Sequence, residues 1–265
     1  MNSETTDNRN QSTRATAIKR KALELGFHKV GIVPAVALDE EREHLEAWFA
    51  HGFHAKMDWM RRDSETIKRR TDPREIFPAA RSVVVVALNY FTAHEHEEST
   101  SHGKLSRYAW GDDYHDVVGE KLRALLAWMG DNFAGAAGKV CCDIQPMMDK
   151  AWAVRAGLGW IGKHSNVITR DYGSWVFLGE LITNLELEYD THIESDHCGS
   201  CRLCIEACPT DAIVADRVVD ARRCISYQTI ESRAETLPDD ITQNQNGWLY
   251  GCGRESVLRH SADDG

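Results

Sequence analysis

The sequence has no long apolar run. Among its 265 residues no uninterrupted apolar stretch is longer than that of Val83–Leu88, far short of the ~20 residues a membrane-crossing helix needs. There is no apolar signal core near the start either: MNSETTDNRNQST is polar and carries no paired arginines, which argues against export. A cytoplasmic chain without a membrane segment is therefore expected. Excess positive charge is also missing. The net charge of -10 excludes general phosphate attraction as the main use of the surface, since that attraction drives nonspecific nucleic-acid binding. Internal repeats are absent, and the only biased segment is the polar start, residues 1–13, which is expected to be disordered.

What is present begins with 42% hydrophobic residues, enough to bury a core as one large domain or two small ones. Apolar residues at helical spacing (Ala17, Ala22, Leu23, Leu25) predict a helix over 14–26, and HKVGIVPA then reads as a strand. A second helix is predicted over Asp39–Phe49. SVVVVALNYF, residues 82–91, is a β-branched run and the expected central strand. DDYHDVVGEKLRALLAWMGDNF keeps the 3.6 period of a long helix and is followed by a short strand, GKVCCDI. A helix over 147–156, the loop GLGWIG, and the strands HSNVITR and SWVFLGELIT complete an α+β body. From about residue 190 the periodicity stops and cysteines take over. The predicted divisions are a body at 14–189, a cysteine-bound module at 190–252 and an atypical tail at 253–265.

That module opens with CGSCRLCIEACP. Three cysteines at steps of three, Cys198, Cys201 and Cys204, can grip one cubane iron-sulfur cluster from a tight loop, while a fourth before proline, Cys208, turns toward another cluster. Zinc is the competing reading, but zinc sites use two separated pairs. In a reducing compartment such cysteines hold metal rather than form disulfides. The chain has eight cysteines. Cys141 and Cys142 lie in a strand of the body, which leaves Cys198, Cys201, Cys204, Cys208, Cys224 and Cys252 for two clusters. If the usual spacing were repeated from Cys252, thiolates would fall at 255 and 259. The sequence has Glu255 and Arg259, then His260, so each cluster is one cysteine short.

Two other motifs are weaker. Gly157-Leu-Gly159-Trp-Ile-Gly162 spells a dinucleotide fingerprint but follows a helix and enters a strand, the reverse of what that site requires. Asp113-Tyr-His115-Asp-Val-Val-Gly119 spells the DxHxxG of certain cobalamin enzymes, yet sits at the front of a helix, where a histidine near a pocket is the simpler reading. Asp143, at the end of a strand, can be a proton donor or a cap for the helix that follows. RRDSETIKRRTDPR, residues 61–74, carries a local positive excess that reads as a solvated helix face.

DPREIFPAARSVVVVALNY, SRYAWGDDYH, AGLGWIGKHS, GSWVFLGELIT, CGSCRLCIEACPTDAIV and VDARRCISYQTIE followed by YGC, in this order, resemble the epoxyqueuosine reductases, cobalamin-dependent iron-sulfur enzymes of tRNA queuosine synthesis. The resemblance runs from about residue 15 to Cys252. It implies a cobalamin-binding α+β domain similar to that of reductive dehalogenases, followed by a ferredoxin-like module with two 4Fe-4S clusters. The family's C-terminal helical-repeat domain has no counterpart in the sequence. The resemblance also implies a proton donor at Asp143 and cobalamin contacts at Arg62, Ser106, Asp143, Val167 and Leu178, with Ser226 between clusters and corrin. Cys198, Cys201 and Cys204 match the first cluster, and Cys208, Cys224 and Cys252 the second. The implied partners are tRNA carrying epoxyqueuosine and an external ferredoxin or flavodoxin; a monomer is expected. The missing fourth thiolates leave open a non-cysteine ligand such as His260 or Glu255, three-iron clusters, or outside thiols. A non-catalytic electron-transfer module and an inactive remnant of the enzyme are the competing functional readings.

Overall fold

The computed structural model describes residues 3–96 and 102–253. Its centre is the β-branched run, now β2 (Ser82–Asn89), which is buried from Ser82 to Ala87. A strand that is apolar on both faces has to be covered on both. It lies inside a four-stranded sheet of order β1-β2-β7-β4, with β1 at Lys29–Pro34, β4 at Gly138–Cys141 and β7 at Val176–Thr183, every neighbour antiparallel. Successive side chains point to opposite faces. Val84 and Val86 therefore join Ile18 and Ala22 of α1 (Ser3–Glu24) and Leu122, Leu125 and Met129 of α4 (Tyr114–Asn132) in one core layer. Val83, Val85 and Ala87 join Leu38 with Trp152 and Ala153 of α5 (Asp149–Arg155) in the other. The bidentate Arg155–Glu41 pair, 2.9 and 2.8 Å, ties α5 to α2 (Asp39–Ala50), and α3 (Ser64–Thr71) follows α2.

One expectation is corrected at the start of the chain. Among the described residues α1 already includes Ser3 rather than starting at residue 14, so residues 3–13 are helical and not a disordered tail. The packed segment from Ala15 to Ala22 supplies the nucleus, and propagation past it adds one backbone hydrogen bond per residue without needing an apolar face. No helix among the described residues is long and apolar enough to cross a membrane.

After β7, regular structure resumes only at α6 (Leu203–Glu206). A small hairpin of β8 (Ile213–Ala215) and β9 (Val218–Val219) follows, then α7 (Ile225–Ile230), α8 (Asp239–Asn244) and β10 (Trp248–Tyr250). This segment docks through backbone and side-chain bonds. Trp48 Nε1 donates to the Val219 carbonyl at 2.7 Å, Ala221 N–H donates to the Phe53 carbonyl at 2.8 Å, and β10 pairs in parallel with β3 (Lys104–Leu105). Between the sheet and the docked segment lies β5 (Trp160–Ile161) paired with β6 (Val167–Ile168). The carboxyl-side end of β4 and the starts of β6 and β7 thereby face the cysteine-bearing loops.

Candidate active site

A cavity of about 870 Å³ opens where these parts meet. That is near the top of the ~300–1,000 Å³ range of small-molecule sites. Its body-side wall includes Tyr114, His115, Asp143, Val167 and Leu178. Its opposite wall includes Cys204, Cys208, Cys224, Ser226 and Cys252. One flank is a run of rings: Tyr90 stacks on Phe177 at 4.3 Å, Phe177 on Tyr114 at 4.5 Å, and Tyr114 on His115 at 4.1 Å. Stacked on one another, these rings make a rigid, largely apolar flank to the cavity.

Asp143 stands in the turn between β4 and α5. Its φ is +56°, a left-handed conformation that a non-glycine residue holds only at a cost of about 1–3 kcal/mol. The turn is enforced locally, with Cys142 N–H donating to Gln145 Oε1 at 3.0 Å and Ile144 N–H donating to the Cys142 carbonyl at 2.6 Å. The carboxylate does not cap α5, whose N-cap is Met148 with no side-chain bond. It points instead to the cavity, where the Tyr114 hydroxyl donates to Asp143 Oδ2. Burial and the adjacent Asp143 carboxylate push the Tyr114 hydroxyl up, so it stays a donor. His115 Nε2 lies 3.5 Å from the same oxygen, and its Nδ1 lies 2.6 Å from Asp113 Oδ1. The DxHxxG histidine is thus the residue at a helix start beside a pocket, with Asp113 as the N-cap of α4. Tyr114→Phe is expected to keep the fold and slow the chemistry by about 10–100-fold, the worth of a ~1.5–3 kcal/mol bond to a charged group; single-turnover rates check it.

Cys198, Cys201 and Cys204 crowd one another, and burial together with the neighbouring thiols pushes Cys204 up. The loop is braced by Cys201 N–H on the Cys198 carbonyl at 2.8 Å and by Cys198 N–H on Asp196 Oδ1 at 2.7 Å. Lys163, next to the glycine loop, donates to the Gly199 carbonyl at 2.9 Å and so ties this loop to the body. Cys208, Cys224 and Cys252 share the cavity wall although they are distant in sequence. Among the described residues no three ligand side chains converge as they would on a single ion, and a cubane needs wider spacing because its thiolates sit at the corners of a four-iron core. Cys141 and Cys142 are buried in the body; burial pushes both thiols up, Cys142 to about 12, and Cys142 Sγ donates to the Leu178 carbonyl at 3.7 Å. They are packing residues, which leaves six thiols for iron. Glu255, Arg259 and His260 lie outside the described residues.

Two resemblance-based contacts are not brought to this cavity. Arg62 follows a short turn at Asp58–Arg61 and lines a separate cleft of about 570 Å³ with Lys56, Asp58, Trp59 and Arg61. Ser106 is buried under β10: its N–H donates to the Tyr250 carbonyl at 2.9 Å, and a Cβ on Gly251 would stand 2.3 Å from its Oγ. The GxGxxG glycines serve packing. A Cβ at Gly157 would meet the His192 carbonyl at 2.3 Å, and one at Gly159 the Ile168 carbonyl at 2.1 Å. Gly159→Ala is therefore expected to cost about 1–3 kcal/mol, measured by denaturant unfolding.

Sequence reasoning missed Tyr114, and it missed the buried carboxyl pair Asp149–Glu180. The second left a signal: Glu180 interrupts VFLGELIT, where a charged residue in a central strand calls for a partner.

Comparison with known proteins matches residues 70–144 to the family model Epoxyqueuosine reductase QueG, DUF1730, and residues 197–254 to the 4Fe-4S double cluster binding domain. An epoxyqueuosine reductase of Synechocystis sp. is 48% identical over 225 residues, 84% of this chain and 76% of that one. The chain belongs to the epoxyqueuosine reductase family. A crystal structure of an epoxyqueuosine reductase with an epoxyqueuosine-modified tRNA stem loop superposes with a TM-score of 0.84 at 32% identity, over 92% of this chain and 64% of that chain. The chain thus spans about three quarters of that curated relative and under two thirds of the solved one. A catabolic reductive dehalogenase shares the fold alone, with a TM-score of 0.56 at 15% identity over 93% of this chain and 34% of that chain. The α+β body of this epoxyqueuosine reductase family member is therefore the dehalogenase-like fold, and its cysteine segment is a double cluster domain.

The residues of this family member fit the groups expected of it. A tetrapyrrole needs a broad cavity with apolar and aromatic walls, which Val167, Leu178 and the ring stack provide. Cluster thiolates need to open on the same space, as Cys204, Cys208, Cys224 and Cys252 do.

Proposed function

We propose that this chain reduces epoxyqueuosine in tRNA to queuosine. One observation carries the reading: Asp143 and four of the six candidate cluster cysteines line one cavity large enough for a flat macrocycle. Val167 and Leu178 would hold cobalamin from the body, and Ser226 would lie between it and the clusters. Cobalamin, when bound, supplies a low-valent metal that can engage a carbon–oxygen bond, and the clusters relay electrons one at a time. The chain's residues do the rest. Asp143 holds a proton toward the departing oxygen, Tyr114 fixes the orientation of that carboxyl, and the ring stack keeps water from one flank. Electrons would come from an external ferredoxin or flavodoxin, in keeping with a cytoplasmic setting where thiols stay reduced.

Six thiols for two cubanes leave one position of each cluster to another ligand. The module at 190–252 would be the electron-delivery part and the body at 14–189 the corrin-binding part. The basic stretch at 61–74, whose Arg62 lines the cleft beside Trp59, would meet tRNA phosphate.

The test is direct. Protein reconstituted with iron, sulfide and cobalamin, given a low-potential reductant and epoxyqueuosine-containing tRNA, should yield queuosine by nucleoside mass spectrometry. Unchanged epoxide from protein that carries both cofactors would overturn the reading. A bare electron carrier predicts a cobalamin spectrum that does not change on adding the protein.

A further inference from the structure

Behind the wall of the cavity two carboxyl groups are buried together. Glu180 lies on β7 between Val85 of β2 and Cys141 of β4, with no exposed surface. Asp149 is the first residue of α5 and lines the cavity. With both ionised, Asp149 Oδ1 and both oxygens of Glu180 are buried without a donor. Two charged acceptors cannot both stay so, because no donor reaches these three buried oxygens to offset their burial. One proton between them resolves the arrangement: the protonated carboxyl donates to the other, as in acid pairs that share a proton. The charged and titratable groups around the pair are Asp143 in the turn, Lys150 on α5, Arg70 on α3, Tyr114 on α4, and Cys141 and Cys142 on and after β4. Lys150 is engaged elsewhere, donating to the Ser165 carbonyl at 3.0 Å and Asn166 Oδ1 at 2.6 Å. Arg70 stands over the Trp59 ring at 5.1 Å and donates to the Met60 carbonyl. Both are thus held by other partners.

The reaction has a use for such a proton. Removing the oxygen of an epoxide as water breaks two C–O bonds, forms one C=C π bond and two O–H bonds, and consumes two electrons and two protons. A low-potential iron-sulfur or flavin protein supplies the electrons. Asp143 delivers one proton to the oxygen.

We propose that Asp149 and Glu180 act as one buried proton store that provides the second, refilling Asp143 through cavity water once Asp143 has protonated the leaving oxygen. This rests on the reductase reading above. The doubly ionised pair left behind is costly in its buried site and regains a proton from solvent through the open cavity when product leaves. Burial first, then the Asp143 carboxylate for both and the Asp149 carboxylate for Glu180, holds the two groups above the usual carboxylate range, so the store is filled at low pH and empties as pH rises through its raised value.

Infrared spectroscopy tests the store without substrate or cofactors. At pH ~7.5, well above the ordinary carboxylate range, the wild-type protein should show the C=O band of a protonated carboxylic acid that shifts in D2O. The band should persist in Asp143→Asn and vanish in Glu180→Gln, where the amide donates to an ionised Asp149. Asp149→Asn is the second variant should Glu180→Gln fail to fold, and it should lose the band as well. In single turnover with the loaded enzyme, either variant should be slower by at least about tenfold, with cobalamin affinity unchanged and the alkaline limb of the pH profile gone. A wild-type protein without the band, or a variant that matches the wild-type rate across that profile, overturns the proposal. If the wild type shows the band but reduces no epoxide, the shared proton stands and the delivery step falls together with the reaction it serves.

Discussion

Asp143→Asn is expected to reduce product formation by about 10²–10⁴-fold, the usual worth of a positioned general acid. Asparagine preserves the shape of the turn and still accepts the Tyr114 hydroxyl through its carbonyl oxygen, so the φ of +56° and the ring stack should persist. What it lacks is a proton to give. The loss should therefore fall on the chemical step and leave cobalamin binding, read from the corrin spectrum, as in the wild type. A variant that reduces epoxyqueuosine at the wild-type rate would remove Asp143 from the reaction. Asparagine also tolerates the left-handed region better than most residues, so weakened folding is not expected to obscure the result.

Cys204→Ala is expected to lower iron and sulfide content by about half, since one of two clusters loses a thiolate from a set with no cysteine to spare. Electron flow to the cavity should stop with it, because Cys204 is the member of the first set that lines the cavity. Cys141→Ala is the matching control. That thiol is fully buried in β4 and pushed up by burial, so its loss should cost packing, about 1 kcal/mol or more, and leave iron unchanged. Iron and sulfide assays with electron paramagnetic resonance of the reduced protein read both outcomes. Equal iron loss from the two variants would mean that the body contributes ligands and that the six-thiol count is wrong. Folding of the 190–252 segment should follow the metal, because most of its order consists of short elements arranged around cysteines.

Much of this protein is legible without its structure, and the legible parts share a property: they are local. Four β-branched residues in a row can only sit where both faces are covered, so SVVVVALN had to be a central strand. Cysteines at steps of three place their thiols on one loop whatever surrounds them. The long helix, the reversed order of elements around GLGWIG, and the module near residue 190 follow from period and composition in the same way. Helix extent at the start of the chain was not legible, because residues 3–13 have no apolar stripe and helicity there propagates from the packed turns that follow.

The chemistry of the site was decided by packing over long separations. Sequence left Asp143 between proton donor and helix cap; the left-handed turn after β4 turned its carboxylate from α5 toward Tyr114, 29 residues away. It left Arg62 and Ser106 as corrin contacts by resemblance; the fold places Arg62 in the cleft beside Trp59 and Ser106 under β10. The Asp149–Glu180 pair exists only because the start of α5 lies over the middle of β7. Residue type and spacing determine what a stretch can bind, since those depend on neighbours along the chain; which groups share a proton or a cavity depends on which surfaces the core brings together, and that is settled only when the sheet closes between its two helical layers.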